Sequence, residues 1–354
     1  MNNYMIMTAG PTPVAENTRL VRAEVAKNPR FDMSFTEDYK LICNKISAYL
    51  NTENRTYIMC GEGILGLEAA CASLIEEGDR CLVITNGIFG DDFADFVKIY
   101  GGVPVVFESD RLNPVNLDKL EDFLKKDHNF RIATMVHCDT PSGVLNNAEE
   151  ICRLLKQYGI LTVVDSVSGF PGVKIDCENI DVLLGGSQKC YSAQTGLTIA
   201  TVSDEAFDIM DKRKTPIKSY YANLLNFRDY IFPYSMPSND IASFRVAIDN
   251  IGNIEEFWAR HRRVGELCRE KVKEIGLSLH LQSGFSDTVT VFNIPEGYTE
   301  MGVINELIDK YNIIISGSFA YLKGKVLRIG HMGESAREEM VTETVNALNE
   351  IFNR

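Results

Sequence analysis

Asp165 and Lys189 are the residues whose types and setting could do chemistry together. Asp165 ends the run Ile160-Leu161-Thr162-Val163-Val164, and Lys189 follows Asp181-Val182-Leu183-Leu184-Gly185-Gly186-Ser187-Gln188. Each run is short, rich in branched apolar residues and bounded by turn formers, which predicts two strands of a buried parallel sheet. Ligands of such sheets collect outside the carboxyl ends of the strands, so both side chains are expected to face one crevice. An acid and an amine placed there suit pyridoxal phosphate. Its aldehyde is carried on a lysine as a Schiff base, and its ring withdraws electrons best when a carboxylate keeps the ring nitrogen protonated. A capping aspartate and a solvated lysine are the plain alternative for either residue alone. Gly185 and Gly186, which let a backbone approach a ligand closely, favour the pair.

The elements that must position this pair alternate along the chain. A helix is expected over 35–50, with apolar positions at Tyr39, Leu41, Ile42, Ile46, Tyr49 and Leu50, then a strand over 57–60. Gly61-Glu62-Gly63-Ile64-Leu65-Gly66 fits G-x-G-x-x-G and opens a helix to about residue 75. Backbone amides at such a helix start favour a phosphate. A dinucleotide-binding unit is the first rival, but the next strand, 81–85, ends in Asn86-Gly87 where that unit wants an acid. Further elements are expected at 91–100 (helix), 103–107 (strand), 117–124 (helix) and 132–137 (strand). The turn Cys138-Asp139-Thr140-Pro141-Ser142-Gly143 follows, then a helix over 147–158 that buries Ile151, Leu154, Leu155 and Tyr158 and is closed by Gly159. A strand over 195–202 completes a mainly parallel α/β sheet with helices on both faces.

After residue 204 the pattern becomes helical, then irregular over 230–239, then a long helical region over 241–275. A second α/β unit is expected to hold strands at 288–293, 313–316 and 325–330 and helices at 301–311 and from about 335. The domain division is placed at residue 255: an arm over 1–15, a large domain over 16–254 and a small one over 255–354. Ala9-Gly10-Pro11-Thr12-Pro13 can be neither helix nor inner strand and reads as an extended arm of the kind that crosses to another subunit.

At 354 residues the chain can bury a full core, and a net charge of −13 without basic stripes argues against nucleic-acid partners. Nine scattered cysteines with no C-x-x-C pair read as reduced core thiols of a cytoplasmic protein. The start lacks an export-signal pattern, no run approaches the length of a membrane span, and the five dispersed histidines predict no metal site.

Gly186-Ser187-Gln188-Lys189, Val164-Asp165-Ser166-Val167, Gly10-Pro11-Thr12-Pro13 and Val326-Leu327-Arg328-Ile329-Gly330 together resemble the class V aminotransferases of pyridoxal phosphate fold type I. The likeness is to the group of alanine:glyoxylate, serine:pyruvate and 2-aminoethylphosphonate:pyruvate enzymes, and it runs over nearly the whole length. It implies a large domain with a seven-stranded type of sheet and a small C-terminal domain. It also implies ping-pong transfer of an amino group from a small amino acid such as alanine or serine to pyruvate or glyoxylate. Lys189 would hold the cofactor and shuttle the proton, Asp165 would pair with the ring nitrogen, Val167 would pack under the ring and Phe89 would stack on its other face. Glu62, Gly63 and Ile64 would give backbone amides to the phosphate, with Gln188 as a further donor, and Thr140 would meet the ring substituents. A homodimer is implied, because a Tyr-x-x-Thr pattern of the neighbouring subunit reaches the phosphate. Here it reads Phe232-Pro233-Tyr234-Ser235, so Ser235 keeps its hydrogen bond and Phe232 cannot donate one.

A guanidinium within an apolar strand needs a partner, and its planar fork suits a carboxylate. An internal ion pair would satisfy Arg328. The resemblance implies instead that it binds substrate carboxylates, with Gly10 beside the substrate. Cysteine desulfurases share the fold, but that chemistry usually has His before the lysine and Cys on a late loop, where this chain has Gln188 and no Cys over 316–323. A non-catalytic pyridoxal-phosphate module would keep Lys189 and Asp165 without needing Arg328.

Overall fold

The structure, a computed structural model, describes residues 4–24, 27–229 and 231–353. Among the described residues thirteen strands run in chain order as β1 (Met5–Met7), β2 (Arg55–Cys60), β3 (Arg80–Thr85), β4 (Val103–Glu108), β5 (Ile132–Val136), β6 (Cys138–Asp139), β7 (Val144–Leu145), β8 (Leu161–Asp165), β9 (Val182–Gly186), β10 (Leu197–Val202), β11 (Val289–Asn293), β12 (Ile313–Ile315) and β13 (Val326–Gly330). Seven of them form one sheet in the order β2-β10-β9-β8-β5-β3-β4, parallel throughout except for β10, which runs against both neighbours. Every residue of β5, β8, β9 and β10 is buried. Continuous apolar strands of this kind form where helices cover both faces of a sheet. Strand β4 has only half-buried and exposed positions and contains Pro104, as an edge strand can, because no further neighbour needs its missing N–H.

The expected alternation is present, with three differences. The helical region over 241–275 is two helices, Ser238–Ile251 and Ile254–Glu274. Gly252, at φ +66°, ends the first, and the Asn253 side chain accepts from the Glu256 amide at 3.1 Å to start the second. Leu41, expected on the core face of the helix Met33–Tyr49, is 44 % exposed, and Leu154 and Tyr158 are only partly buried. The third difference concerns the arm. Its residues Met5–Met7 form a strand, β1, that pairs in parallel with β12 of the same chain, Met5 opposite Ile313. Residues 1–3 of the arm, and residue 230 at the start of the expected irregular stretch, lie outside the described residues.

Two large apolar cores result. The first surrounds the seven-stranded sheet, and the second gathers Met7, Val264, Leu307, Ile315, Leu327 and Val345. They part within the helix Ile254–Glu274, Phe257 packing with the first and Val264 with the second. A third, smaller cluster joins Ala9, Ile88, Cys138, Cys190, Val289 and Met332. It packs the arm, the carboxyl ends of the sheet and the C-terminal strands together. All nine cysteines are free thiols, and eight of them are buried.

Candidate active site

Strand β8 delivers Asp165 and β9 delivers Lys189 three residues beyond its end, in a turn that closes on itself. The Ser192 amide donates to the Lys189 carbonyl at 2.9 Å, and the Ala193 amide donates to that of Ser187 at 3.0 Å. The arm clamps the same turn. Thr12 donates its amide to the Gln188 carbonyl at 3.0 Å and its hydroxyl to the Lys189 carbonyl at 2.9 Å. Lys189 Nζ in turn donates to the Ala9 carbonyl at 2.6 Å. Gly10, at φ +96°, lies so close that a Cβ there would stand 2.4 Å from Lys189 Cδ. A side chain at position 10 would displace the amine, so the arm's glycine is required by the lysine.

Burial acts on both members of the pair in opposite directions. It lowers the Lys189 amine to about 8, helped by the Arg328 charge, and raises the Asp165 carboxyl to about 7 against the pull of the Val167 amide, which donates to Asp165 Oδ1 at 2.8 Å. Each also feels the other's opposite charge. The consequence for Lys189 can be measured. Attack on an aldehyde needs the unprotonated amine, and an amine lowered from 10.5 to about 8 supplies it once the pH passes about 8. Capture of pyridoxal by the ligand-free protein, followed by visible absorbance across a pH series, is expected to rise with a midpoint near 8. A midpoint near that of a free lysine would contradict this setting.

The cradle around the pair is shaped for a flat ring. A Cβ on Gly63 would stand 2.7 Å from Val167 Cγ2, and one on Gly186 would stand 3.1 Å from Val167 Cγ1, so Val167 sits against two bare backbones. Phe89, half-buried at the start of the helix Ile88–Ile99, packs edge-on to Phe319 with ring centres 5.9 Å apart. Thr140 is buried and donates to Ser168 Oγ at 2.6 Å, which leaves its lone pairs for another donor. His137 is a satisfied core histidine, its Nδ1 2.8 Å from Ser166 Oγ, and burial lowers it to about 4. Cys190 turns away toward the Ser168 carbonyl.

Arg328 lies in β13, half-buried, with Nε donating to the Gly317 carbonyl at 2.6 Å. Among the described residues no carboxylate reaches salt-bridge distance of it, so the internal ion pair that could satisfy it is not formed. Burial presses its charge down to about 10, opposed by the more distant carboxylates of Asp139 and Glu300. Asp139 is the site residue that sequence reasoning passed over. It is fully buried, accepts from the Phe89 amide at 3.0 Å and from the Ser142 hydroxyl at 2.7 Å, and burial raises its carboxyl. It thereby fixes Phe89 and supplies counter-charge toward Arg328. Its only signal was a place in a Pro/Ser/Gly turn, which reads as loop chemistry.

The phosphate end differs from the ring end. The Glu62 side chain caps the helix Gly63–Leu74, accepting from the Ile64 amide at 3.2 Å, and Gln188 Nε2 donates to its other oxygen at 3.5 Å. Two donors expected to serve a phosphate are therefore engaged by a carboxylate. Ser235 is exposed and Phe232 is packed edge-on to Phe35 and Tyr39 of its own chain, at 5.6 and 5.5 Å.

Residues 15–322 match the family model described as "Aminotransferase class-V". The chain is 30 % identical to the pyridoxamine–pyruvate transaminase of Mesorhizobium japonicum over 91 % of this chain and 85 % of that protein. It is 31 % identical to the alanine–glyoxylate aminotransferase of Felis catus over 84 % and 75 %. The crystal structure of ureidoglycine–glyoxylate aminotransferase from Bacillus subtilis superposes with a TM-score of 0.94 at 27 % identity, covering 100 % of this chain and 94 % of that one.

Proposed function

From the premise that the chain belongs to the class-V aminotransferases, we propose that it passes an amino group to a small 2-oxo acid of the pyruvate or glyoxylate kind by a ping-pong sequence. Pyridoxal phosphate is the cofactor of this fold type I family. It supplies an aldehyde that takes up an amine and a ring that accepts the electron pair left when the adjoining carbon loses its proton. The ring half of that group fits the cradle of Val167, Phe89, Asp165 and Lys189.

The chain's own residues divide the remaining work. Lys189, set at about 8 by burial, can release and take a proton near neutral pH, as a group moving a proton between two carbons must. Asp165 would hold a proton at the ring nitrogen, its Oδ1 being fixed by the Val167 amide and its other oxygen left for that bond. Thr140, whose own proton is on Ser168 Oγ, would accept from a ring substituent. A homodimer in which Ser235 serves the neighbouring site agrees with its exposure.

The observation that carries the reading is Arg328. A half-buried guanidinium with no carboxylate partner among the described residues, electrostatically linked to Lys189, suits a carboxylate brought by the substrate. The 2-oxo acid and the amino acid made from it carry that group in turn, so one residue anchors acceptor and product alike. The relatives differ in the donor their names give and agree on pyruvate or glyoxylate as acceptor. Incubation with pyruvate or glyoxylate and a panel of alanine, serine, 2-aminoethylphosphonate and pyridoxamine is expected to yield alanine or glycine as the new amino acid. No transfer to either acceptor from any donor would overturn the reading. No helix among the described residues is long and apolar enough to cross a membrane.

A further inference from the structure

The group that caps the helix Gly63–Leu74 sits where this fold would receive a phosphate. A helix start offers unpaired amides and a positive dipole end to an anion. In this chain the anion is already present. Glu62 folds back so that one carboxylate oxygen accepts from Ile64 N at 3.2 Å and the other from Gln188 Nε2 at 3.5 Å, and among the described residues no Lys or Arg pairs with it. Its neighbour Gly63 lies against Val167, whose amide donates to Asp165 at 2.8 Å, and the Glu62 charge is felt by Asp165.

Gln188 carries the argument further. Its side chain is 6 % exposed, and its Oε1 has no hydrogen-bond partner among the described residues. The amide cannot be reversed to cure this, because Oε1 would then face a carboxylate, acceptor against acceptor. The buried oxygen lies over Gly186, 2.9 Å from where a Cβ would stand, beside Val167 on the floor of the ring cradle. That end of the cavity therefore presents two kinds of acceptor, a carboxylate and an orphaned amide oxygen. A phosphate carries up to two negative charges and only acceptor oxygens when fully ionised. An alcohol on the same ring carbon is neutral and donates its hydrogen.

We infer that this site takes the vitamin B6 ring without its phosphate, binding pyridoxamine and pyridoxal in preference to the 5′-phosphate forms, with their hydroxymethyl group donating to Glu62 or Gln188 Oε1. The inference rests on the amino-transfer reading above and names its donor. Pyridoxamine and a 2-oxo acid give pyridoxal and an amino acid. The C–N bond at the pyridoxamine methylene breaks and one forms at the oxo carbon, that methylene is oxidised to an aldehyde as the oxo carbon is reduced, and the carbonyl oxygen is exchanged through water. No other oxidant or reductant is needed. The vitamer is then a substrate that enters and leaves, and it meets the oxo acid in one complex, which replaces the ping-pong order with a sequential one.

Titration of the purified protein with pyridoxal, pyridoxamine and pyridoxal phosphate, read by absorbance and calorimetry, tests this without turnover. Pyridoxal is expected to bind about tenfold or more tighter than its phosphate, a difference of about 1.4 kcal/mol. Glu62→Ser keeps a good helix cap while removing the carboxylate, and should narrow or reverse that ratio by about tenfold. Phosphate-form binding as tight as that of pyridoxal in the wild type, or a ratio unmoved in Glu62→Ser, would overturn the inference. If the phosphate form binds tightly and amino acids feed pyruvate, only the inference falls. If pyridoxal is preferred but no donor yields an amino acid, the vitamer preference stands and the functional reading falls.

Discussion

Lys189→Ala is expected to lower amino transfer by at least about 10⁴-fold, because one side chain both captures the aldehyde and moves the proton, and general acid–base catalysis alone contributes about 10²–10⁴-fold. The visible absorbance of the captured aldehyde should vanish with it. The fold should survive, since Thr12 still fastens the arm to the Gln188 and Lys189 carbonyls and β1 still pairs with β12. Lys189→Arg is the sharper control. It keeps the charge, but a guanidinium does not give up its proton in proteins, so neither capture nor turnover should return. Retained turnover in either variant, measured on protein whose thermal unfolding matches wild type, would remove Lys189 from the reaction.

That pair was legible because its signal was local. Branched apolar runs ending in an acid and an amine predict adjacent buried strands, and β8 and β9 do pair in parallel, Asp165 opposite Leu184. A mainly parallel sheet followed from the same alternation, and its seven strands from the family resemblance. What the sequence hid were long-range contacts. Nothing in Met5–Met7 announces that it will pair with β12, more than 300 residues away, because strand pairing leaves no trace in either partner's periodicity. The break at Gly252 was readable in principle, since a glycine before an asparagine suits one helix end and the next helix start. Glu62 shows a subtler limit. A G-x-G-x-x-G run was read through its backbone, whereas the decisive group is the side chain between the glycines, whose orientation only the folded turn reveals. Asp139 was lost for a similar reason: a turn residue acquires a role through what two other segments, Phe89 and Arg328, bring to it.

Arg328→Ala is expected to leave the captured-aldehyde absorbance nearly intact while reducing kcat/KM for the 2-oxo acid. Truncating one partner of a buried, hydrogen-bonded charge pair costs about 2–5 kcal/mol, or roughly 30- to several-thousand-fold. The direction of the split matters more than its size. If the guanidinium binds ground state and transition state alike, the loss falls on KM; a loss confined to kcat would mean that it acts mainly at the transition state. Arg328→Lys should recover only part of the affinity, because an ammonium is a point charge and lacks the fork that engages both carboxylate oxygens. The backbone around the residue gives reason to expect a clean variant. Residue 328 exchanges main-chain bonds with Ser316, its amide donating at 2.8 Å and its carbonyl accepting at 3.1 Å, and β13 pairs with β11 along its whole length. A truncated side chain leaves all of these in place, whereas the lost bond from Nε to the Gly317 carbonyl loosens only the loop that follows β12. Equal activity toward pyruvate in Arg328→Ala and wild type would show that the substrate carboxylate is held elsewhere, and the assignment of β13 to the active site would then fail.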